Sequence, residues 1–406
     1  MRYHLFLRLA GIFGAFSAAL LLMPGRSAWA QAKSVGVPGV VIDHSPASSG
    51  LYIGSPGIAV LPNGDYLASH DYFGPESKEY ERAITLVFRS TDRGRTWRQI
   101  ARLESLFWAS LFTHKKAVYL LGTEKHHGRI VIRRSSDGGQ TWTEACDPTT
   151  GLLVPEGEYH TAPVPVLGSK GRLWRAMEDA MGGTKWGERY RAFMLSAPVN
   201  ADLLRADSWT FSNRLGRDAQ WLGGNFGGWL EGNAVLARDG GVVNVLRVET
   251  PGYPEKAAMI RISDDGRTAS FNPAKGFIDF PGGAKKFTIR HDAKSRLYWS
   301  LATAAAERHR QDGRPGGIRN TLALTCSPNL VDWTVRCVLL YHPDVAKHGF
   351  QYVDWQFEKD DIIAACRTAY DDGLGGANNN HDANFLTFHR IANFRKRTMA
   401  DSVPMP

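Results

Sequence analysis

The sequence predicts an all-β fold, a six-bladed β-propeller, from three observations. An eight-residue pattern, S-x-D-x-G-x-T-W, occurs at Ser90–Trp97 and again at Ser135–Trp142, each time after an apolar segment. Weaker copies begin at Ser196, Ser263 and Ser327, at spacings of 61, 67 and 64 residues from the copy before. Short alternating strands separated by Gly, Asp, Asn and Pro turns recur along the chain, without a long amphipathic helix. A repeat of this length fits about six blades, give or take one.

The eight-residue pattern predicts a tight turn between two strands. Its Ser, Asp and Thr side chains can bond the turn backbone, its Gly can take a positive φ, and its Trp can pack against the sheet. The alternative is a pair of ordinary polar hairpin turns. Both full copies resemble the Asp-box, or BNR repeat, of sialidases and related β-propellers. The resemblance covers most of the chain and implies a divergent member of the sialidase superfamily.

The first 30 residues have the features of a secretory signal peptide. Arg2 and Arg8 precede an apolar run at 9–23, and Ala28-Trp29-Ala30 offers a cleavage site. An uncleaved membrane anchor is the alternative, although the apolar run is short for a spanning helix. We therefore predict cleavage after Ala30, export to the periplasm or the extracellular space, and a single sialidase-like domain over residues 31–406. No other segment is apolar enough to span a bilayer, so no membrane span is expected after cleavage.

Charge and cysteine content narrow the range of ligands. The 49 Lys and Arg against 40 Asp and Glu give a formal net charge of +9, which favours anionic ligands weakly. No basic run is interleaved with aromatic residues, so nucleic acid is not an expected partner. The four cysteines, Cys146, Cys326, Cys337 and Cys366, lack metal-ligand spacing, and we predict neither a metal nor a cofactor. Cys326 and Cys337 flank the Ser327 turn, where they either form a disulfide or serve as buried small side chains.

The resemblance extends to residues at the inner hairpins, the strand pairs nearest the propeller axis. Sialidase-like enzymes carry a Glu just before one inner hairpin and an Arg just after it, which match Glu231 and Arg247 here. A later Arg leads into an Asp-box and matches Arg319, and a Tyr that opens the next inner hairpin matches Tyr352. By resemblance, Tyr352 is a nucleophile partnered by Glu231. The two arginines would bind a substrate carboxylate.

These residue types suit the hydrolysis of a glycosidic bond beside a carboxylate. A neutral tyrosine, made basic by an adjacent carboxylate, can attack an anomeric centre that an acidic sugar shields from an anionic nucleophile. A carboxylic acid must also protonate the leaving oxygen, and the first blade offers Asp71, with Glu76 and Glu79 behind it. We predict Asp71 as the general acid/base, a role that requires a raised pKa.

The sequence departs from the family pattern at one position of the first blade. Sialidases open this blade with Arg-Ile-Pro, whereas this chain has Gly54-Ser55-Pro56, with glycine in place of the arginine. A three-arginine clamp thereby loses one bidentate donor, which argues against ordinary sialic acid as the substrate. Arg367, on a neighbouring strand, is a candidate replacement. Further polar candidates for substrate binding on the same face are His160, Arg175, Glu178 and His381.

The combined prediction is an exported glycosidase of the exo-α-sialidase type, retaining in mechanism, that acts on a sialic-acid-like or uronic saccharide. A polysaccharide lyase is one alternative, in which a His or Tyr removes a proton next to a uronic carboxylate neutralised by Arg. A non-catalytic carbohydrate-binding propeller is another, because a fold does not determine a function. A single Glu, Arg or Tyr on a strand is usually an ordinary cross-strand partner, so the prediction depends on the shared place of these residues in the repeat.

Overall fold

The computed structural model describes residues 36–405, and these form the predicted all-β, six-bladed propeller. They lie within one compact unit, Val35–Pro406, in which each blade is an antiparallel sheet of four or five strands. Over the described range, no helix is long and apolar enough to cross a membrane. The predicted signal peptide at 1–30 lies outside the described residues, so cleavage after Ala30 and export stay predictions.

The strands are numbered in chain order. Strand β1 is Val40–His44. Blade one contains β2 (Tyr52–Ile53), β3 (Gly57–Val60), β4 (Tyr66–Phe73), β5 (Ile84–Ser90) and β6 (Arg98–Glu104). Blade two contains β7 (Phe107–His114), β8 (Ala117–Thr123), β9 (Ile130–Ser135) and β10 (Leu152–Val154). Blade three contains β11 (Tyr159–His160), β12 (Leu167–Ser169), β13 (Arg172–Asp179), β14 (Arg191–Pro198) and β15 (Thr210–Phe211).

The second half of the chain forms three more blades. Blade four contains β16 (Gly228–Leu236), β17 (Val242–Glu249), β18 (Lys256–Ile262), β19 (Ala269–Ser270) and β20 (Phe277–Asp279). Blade five contains β21 (Thr288–Asp292), β22 (Leu297–Ala302), β23 (Thr321–Ser327) and β24 (Thr334–Tyr341). Blade six contains β25 (Gly349–Glu358), β26 (Asp361–Ala369) and β27 (Phe385–Ile391). The helical segments of the described residues span four residues or fewer: Ala47–Ser49, Ala206–Ser208, Trp221–Gly224, Pro273–Gly276, Glu307–His309, Pro315–Gly317, Phe394–Lys396 and Met399–Asp401.

Strand β1 completes the last blade instead of starting the first. It pairs antiparallel with β27, so the sheet order of blade six is β1-β27-β26-β25. Asp43 on this strand also accepts a hydrogen bond from Nε2 of His70 in blade one, at 2.8 Å. The start of the described chain therefore joins the sixth blade to the first and closes the ring.

The inner hairpins β3–β4, β16–β17 and β25–β26 lie where the sequence predicts them. The β16–β17 turn shows why its residues suit the bend. Gly240 takes a φ of 80°, which glycine adopts without steric cost. The Oδ1 atom of Asp239 accepts a hydrogen bond from the backbone N–H of Gly241 at 2.9 Å. Local turn chemistry thus sets the hairpins that point toward the axis.

The two full copies of the eight-residue pattern form the same hydrogen-bonded turn. In the first copy, Oδ1 of Asp92 accepts from the backbone N–H groups of Arg95 and Thr96, at 3.0 and 2.9 Å. Asp137 makes the equivalent bonds in the second copy. In each turn the indole N–H of the final Trp donates to the carbonyl of the pattern's glycine, Gly94 or Gly139, at 3.2 and 2.9 Å. The polar side chains are therefore turn formers, as the sequence predicts.

The weaker copies keep parts of this turn. In the Ser327 copy Asn329 replaces Asp and accepts from two backbone N–H groups, and the indole N–H of Trp333 donates to Leu330. In the Ser263 copy Oγ of Ser263 accepts from the N–H of Thr268 at 2.9 Å. The Ser196 copy, interpreted as a turn enlarged by an insertion, differs more, because Oγ of Ser196 bonds the guanidinium of Arg172.

Apolar side chains fill the spaces between neighbouring blades, in six clusters. The tryptophans of four turns pack into these clusters against the preceding blade: Trp97, Trp142, Trp209 and Trp333. Cys326 and Cys337 are both free and buried in the cluster between blades five and six. The disulfide that the sequence left open is therefore not formed, and these cysteines act as small apolar side chains.

Candidate active site

A cavity of about 600 Å³ collects side chains from all six blades. Blades four to six supply its arginine half, which we define as Glu231, Arg247, Arg319, Tyr352 and Arg367. Blades one to three supply its aromatic half, which we define as Tyr80, Trp108, His126, His160, Trp186 and Tyr190. Gly54, Ser55 and Asp71 of blade one also line the cavity. The predicted catalytic residues Asp71, Glu231 and Tyr352 thus share one concave site.

Glu231 and Tyr352 share the same local backbone geometry. Each lies in a bulge of an inner strand, β16 or β25, and takes a left-handed conformation with a φ of 58° or 53°. Non-glycine residues rarely hold such conformations unless the surrounding structure maintains them. Arg247 pairs with the residue before the first bulge, and Arg367 pairs with the residue before the second. The bulge therefore places an acidic or phenolic group beside an arginine in both blades.

Glu231 joins the tyrosine to an arginine. The Oη atom of Tyr352 donates to Oε1 of Glu231 at 2.8 Å, and Nη1 of Arg247 donates to Oε2 at 3.0 Å. Burial opposes ionisation of Glu231, but the charges of Arg247 and His160, together with the hydrogen bonds from Arg247 and Tyr352, outweigh it and hold the pKa of the carboxyl below its ordinary value. Burial and the Glu231 charge raise the pKa of Tyr352. The resting pair is thus a neutral phenol bonded to a carboxylate.

Arg319 and Arg367 form no direct hydrogen bond or salt bridge with a carboxylate within residues 36–405. Nη1 of Arg319 donates to the side-chain oxygen of Gln351 at 2.5 Å, and Arg367 donates to the carbonyl of His381. Neither guanidinium forms a salt bridge in the described part of the chain. Burial lowers the pKa of Arg319 to about 10, which still leaves the group charged at neutral pH. Two buried cations therefore face the cavity with only neutral partners.

Asp71 explains the glycine at position 54. Its Oδ1 accepts from the backbone N–H of Ser55 at 2.7 Å, and its Oδ2 accepts from that of Trp108 at 2.6 Å. A Cβ atom at Gly54 would lie 1.7 Å from Oδ1 of Asp71, so no side chain fits there while Asp71 holds this position. Burial raises the pKa of Asp71 to about 6, against the lowering effect of the two N–H donors. A partly protonated carboxyl therefore stands where the family pattern would place an arginine.

Arg367 contacts aromatic rings of blades six and one. Its guanidinium is 4.7 Å from the centre of the Tyr352 ring and 4.4 Å from that of Phe73 in blade one. Glu79 also lines the cavity, where its Oε1 lies 3.2 Å from Nδ1 of His126. Glu76 does not line the cavity, because its side chain packs against Gly50. The structure thus keeps Asp71 and Glu79 as acid candidates.

The remaining predicted residues separate into lining and supporting groups. His160 and His381 line the cavity, whereas Arg175 and Glu178 do not. Arg175 is buried and donates to the carbonyl of Ala162 at 2.8 Å. Glu178 lies 3.2 Å from Nδ1 of His160, and its other oxygen accepts from the backbone N–H of the residue after Glu231. Burial lowers the pKa of His381 to about 3, so this imidazole is neutral over the ordinary pH range.

Most of the aromatic half was not predicted from the sequence. The pattern nevertheless contained one usable signal, because Trp108 lies in a bulge of the inner strand β7 with a φ of 51°, as Glu231 and Tyr352 do in theirs. Aligning the three inner strands on this position would have selected Trp108. His126, His127, Trp186 and Tyr190 lie on loops between strands, where the repeat offers no register. Their arrival in the cavity depends on loop conformations that a periodic pattern does not encode.

The described residues form a six-bladed β-propeller with a cavity lined by all six blades. No protein-family model and no curated protein matches the chain. Among solved structures, its fold is similar to the Hadza microbial sialidase Hz136, at 13% identity and a TM-score of 0.57, over 87% of this chain and 68% of that one. It is also similar to Penicillium chrysogenum α-L-arabinanase, at 15% identity and a TM-score of 0.54, over 89% of this chain and 99% of that one. A third similar structure is Trypanosoma rangeli sialidase, at 17% identity and a TM-score of 0.54, over 84% of this chain and 55% of that one. At these identities the likeness shows the fold alone.

Proposed function

We propose that this protein is a retaining glycoside hydrolase that acts on a saccharide bearing an acidic group. One observation carries the proposal: the Tyr352 hydroxyl bonds Glu231 at 2.8 Å, Arg247 holds the other carboxylate oxygen, and two further arginines line the same cavity. A phenol bonded to a buried carboxylate is the arrangement that an activated tyrosine nucleophile requires. The similarity of the fold to sialidases and an arabinanase supports a glycosidase without deciding its substrate.

The first chemical step forms a glycosyl-tyrosine. The Oη atom of Tyr352 attacks the anomeric carbon while its proton passes to Oε1 of Glu231. Asp71, whose pKa of about 6 keeps part of its population protonated, donates a proton to the leaving oxygen as the glycosidic bond breaks. Because the nucleophile is neutral before attack, it approaches an acidic sugar without charge repulsion.

The second step returns each group to its starting state. Asp71, now ionised, removes a proton from a water molecule, and that water attacks the anomeric carbon from the side that the leaving group vacated. The bond to Tyr352 Oη breaks, and Glu231 gives the proton back to the phenolate. Two displacements at the same carbon retain the anomeric configuration.

The charge of the cavity supports an acidic substrate. Arg319 and Arg367 are buried and have only amide or carbonyl acceptors among the described residues. A buried cation without a counter-ion is costly, and a substrate carboxylate would supply two acceptor oxygens to these guanidinium groups. Because Asp71 excludes a side chain at Gly54, the acidic group binds on the side of blades five and six. A sialic-acid-like or uronic sugar fits this requirement.

The proposal is tested by product analysis. Purified protein is incubated with aryl sialosides, other aryl glycosides and uronate polysaccharides, and the product of any active substrate is examined by NMR for its first-formed anomer. We expect turnover of an acidic glycoside with retention, and loss of turnover in Tyr352→Phe and Glu231→Gln. Full activity in both variants would contradict the assignment. An unsaturated product absorbing in the ultraviolet would indicate a lyase, and binding without turnover would indicate a carbohydrate-binding propeller.

We further propose export with removal of residues 1–30, on the basis of the N-terminal charge, apolar run and A-x-A site. Intact mass measurement of protein recovered from the periplasm or medium tests this. A mature chain beginning at Gln31 is the expected result, and recovery of the uncleaved chain in the membrane fraction would contradict it.

A further inference from the structure

Six rings form a continuous aromatic band along one side of the cavity. The band consists, in spatial order, of Tyr80, His126, Trp108, His160, Tyr190 and Trp186, and we use this name for it below. Successive ring centres lie 4.5, 4.7, 4.5, 4.5 and 6.3 Å apart. The rings come from blades one, two and three, so the band depends on the packing of three neighbouring blades and on no single blade.

Both ends of the aromatic band are open to solvent. Tyr80 is 65% exposed and Trp186 is 52% exposed, while the rings between them are largely covered. Met181, on the same loop as Trp186, is 47% exposed. Large apolar side chains exposed together beside a cavity usually mark a surface that something else covers. The band is therefore a binding surface that continues the cavity outward.

The aromatic band is linked directly to the proposed proton donor. The backbone N–H of Trp108, in the middle of the band, donates to Oδ2 of Asp71 at 2.6 Å. The unpaired cations Arg319 and Arg367 come from blades five and six and belong to the other half of the cavity. A substrate held there by its acidic group, with its anomeric carbon at Tyr352, directs its leaving oxygen toward Asp71. The group beyond that oxygen then lies against the band.

The charges of the aromatic band favour an uncharged occupant. His126 is 3.2 Å from Glu79, His160 is 3.2 Å from Glu178, and Arg189 beside the band donates to Glu158 at 2.7 Å. These three basic groups thus each have an acidic partner, unlike Arg319 and Arg367 of the other half. His127, also beside the band, lies 3.3 Å from the Tyr190 hydroxyl, and burial lowers its pKa to about 2, so this ring is neutral. Flat ring faces bind the apolar C–H faces of sugars, and polar groups at the edge accept or donate hydrogen bonds to hydroxyls.

We propose that the aromatic band is a leaving-group subsite that binds a neutral pyranose ring. This inference rests on the proposed glycosidase function for its direction, but the binding surface itself does not require turnover. It predicts a substrate with two chemically different ends: an acidic sugar on the arginine half and an uncharged sugar on the aromatic half. Tyr80, Trp108 and Trp186 are then specificity-determining residues.

Binding is tested without catalysis in the Tyr352→Phe protein. Indole N–H signals are followed by two-dimensional ¹H–¹⁵N NMR during titration with lactose, cellobiose and N-acetyllactosamine, and are assigned with Trp108→Phe and Trp186→Phe. We expect at least one disaccharide to shift the Trp108 and Trp186 signals saturably. Trp97 and Trp142 are matched internal controls, since they pack between blades away from the cavity. No shift with any of the three sugars, or equal shifts at the controls, would overturn the proposal.

A choline titration of the same sample distinguishes a competing occupant. Aromatic clusters also bind quaternary ammonium ions through their ring faces. If choline shifts the Trp108 and Trp186 signals saturably and the sugars do not, the aromatic band is a cation site and the proposal is wrong. If the sugars bind and no glycoside is hydrolysed, the subsite stands and the proposed hydrolase function fails, so the two failures are distinguishable.

A kinetic comparison tests the role in turnover. The hydrolysed acidic sugar is presented once as its fluoride, whose leaving group is a single atom, and once linked to a neutral disaccharide. In Tyr80→Ala we expect kcat/KM to fall roughly tenfold further for the disaccharide-linked substrate than for the fluoride, as for a lost ring contact of this kind. Leu374→Ala is the matched control, because Leu374 is 67% exposed and does not line the cavity. Equal losses on both substrates in Tyr80→Ala would contradict the proposal.

Discussion

The two halves of the cavity differ in how their polar groups are satisfied. In the arginine half, Arg319 and Arg367 lack acidic partners among the described residues, and Tyr352 donates to a carboxylate that a third arginine holds. In the aromatic half, His126 and His160 each lie 3.2 Å from a buried glutamate. One half therefore contains two buried cations whose hydrogen-bond acceptors are neutral, whereas in the other half these two rings each have an acidic partner. The comparison teaches that a single cavity can combine two different electrostatic environments.

The largest expected effect is in the arginine half, at the nucleophile. Tyr352→Phe removes the attacking oxygen while keeping the ring, so we expect kcat/KM for an acidic aryl glycoside to fall on the order of 10³-fold or more. Initial rates of aryl release measure this. Tyr253→Phe is the matched control, because the Tyr253 hydroxyl has no hydrogen-bond partner among residues 36–405 and lies outside the cavity lining. If the kcat/KM of Tyr352→Phe lies within tenfold of the parent value, the arginine half does not supply the nucleophile.

The next effect is expected at Asp71, where the halves meet. Its raised pKa of about 6 means that the protonated form persists to pH 6, and kcat/KM should fall about tenfold per pH unit above that value. Asp71→Asn should cost about 10²- to 10⁴-fold on a substrate with a poor leaving group and should remove this alkaline limb. Rates from pH 4 to pH 9 measure both. If the limb remains in Asp71→Asn, another group such as Glu79 is the acid.

The same shift has a consequence for stability. Because the folded-state pKa of Asp71 lies above the unfolded value of about 3.9, the unfolded chain ionises first as the pH rises. The contribution of this group to the free energy of unfolding is therefore fully present below pH 4 and is lost as the pH rises to 6. In Asp71→Asn, the free energy of unfolding should therefore depend less on pH between pH 4 and pH 6, as measured by urea denaturation.

A smaller effect is expected at the anion-binding guanidinium groups. Arg319→Lys keeps the charge but removes the planar pair of donors, so we expect KM for an acidic glycoside to rise roughly tenfold with little change in kcat. Arg314→Lys, at a position outside the cavity lining, is the matched control. A neutral glycoside should show no such rise. Equal effects on acidic and neutral substrates would show that the arginine half does not recognise charge.

The smallest effect is expected at His160 in the aromatic half. As a member of a binding surface, His160 contributes packing but no proton transfer, so His160→Ala should lower kcat/KM by less than about tenfold. The matched control is His114→Ala, whose ring bonds a distant carbonyl outside the cavity. Loss of all activity in His160→Ala, together with an unsaturated product, would support a lyase that uses His160 as its base.

The sequence predicted the propeller and named all five residues of the arginine half, because both follow the repeat. The turns of Asp92 and Asp137 give the blade register, and that register places Glu231, Arg247 and Tyr352 at equivalent ends of inner strands. The aromatic half escaped prediction, apart from His160. Trp108 lies in a bulge of strand β7, where the repeat did offer a signal, but the other four side chains come from loops whose conformation has no period. The roles of Arg175 and Glu178 also escaped, because alternation along β13 indicates a face but not the depth at which a side chain ends.

Gly54 shows where a departure from a pattern became informative only in three dimensions. In the sequence, it is a glycine at the position where sialidases have an arginine. In the structure, the Asp71 carboxylate occupies its side-chain space, held by the backbone N–H groups of Ser55 and Trp108. The absence of a side chain at position 54 and the position of the Asp71 carboxylate are thus linked. A motif comparison that treats the two positions separately would not show this link.

The closing strand β1 also determines when the site can exist during folding. Blade six meets blade one at a seam where the backbone N–H of Ile58 donates to Asp354 at 3.0 Å, across 296 residues of chain. Contacts this distant in sequence form slowly, because closing so long a loop costs conformational entropy. Asp71 lies on one side of this seam and Tyr352 on the other. Enzymatic activity should therefore return during refolding with the closure of the ring, later than the β-sheet signal of the separate blades.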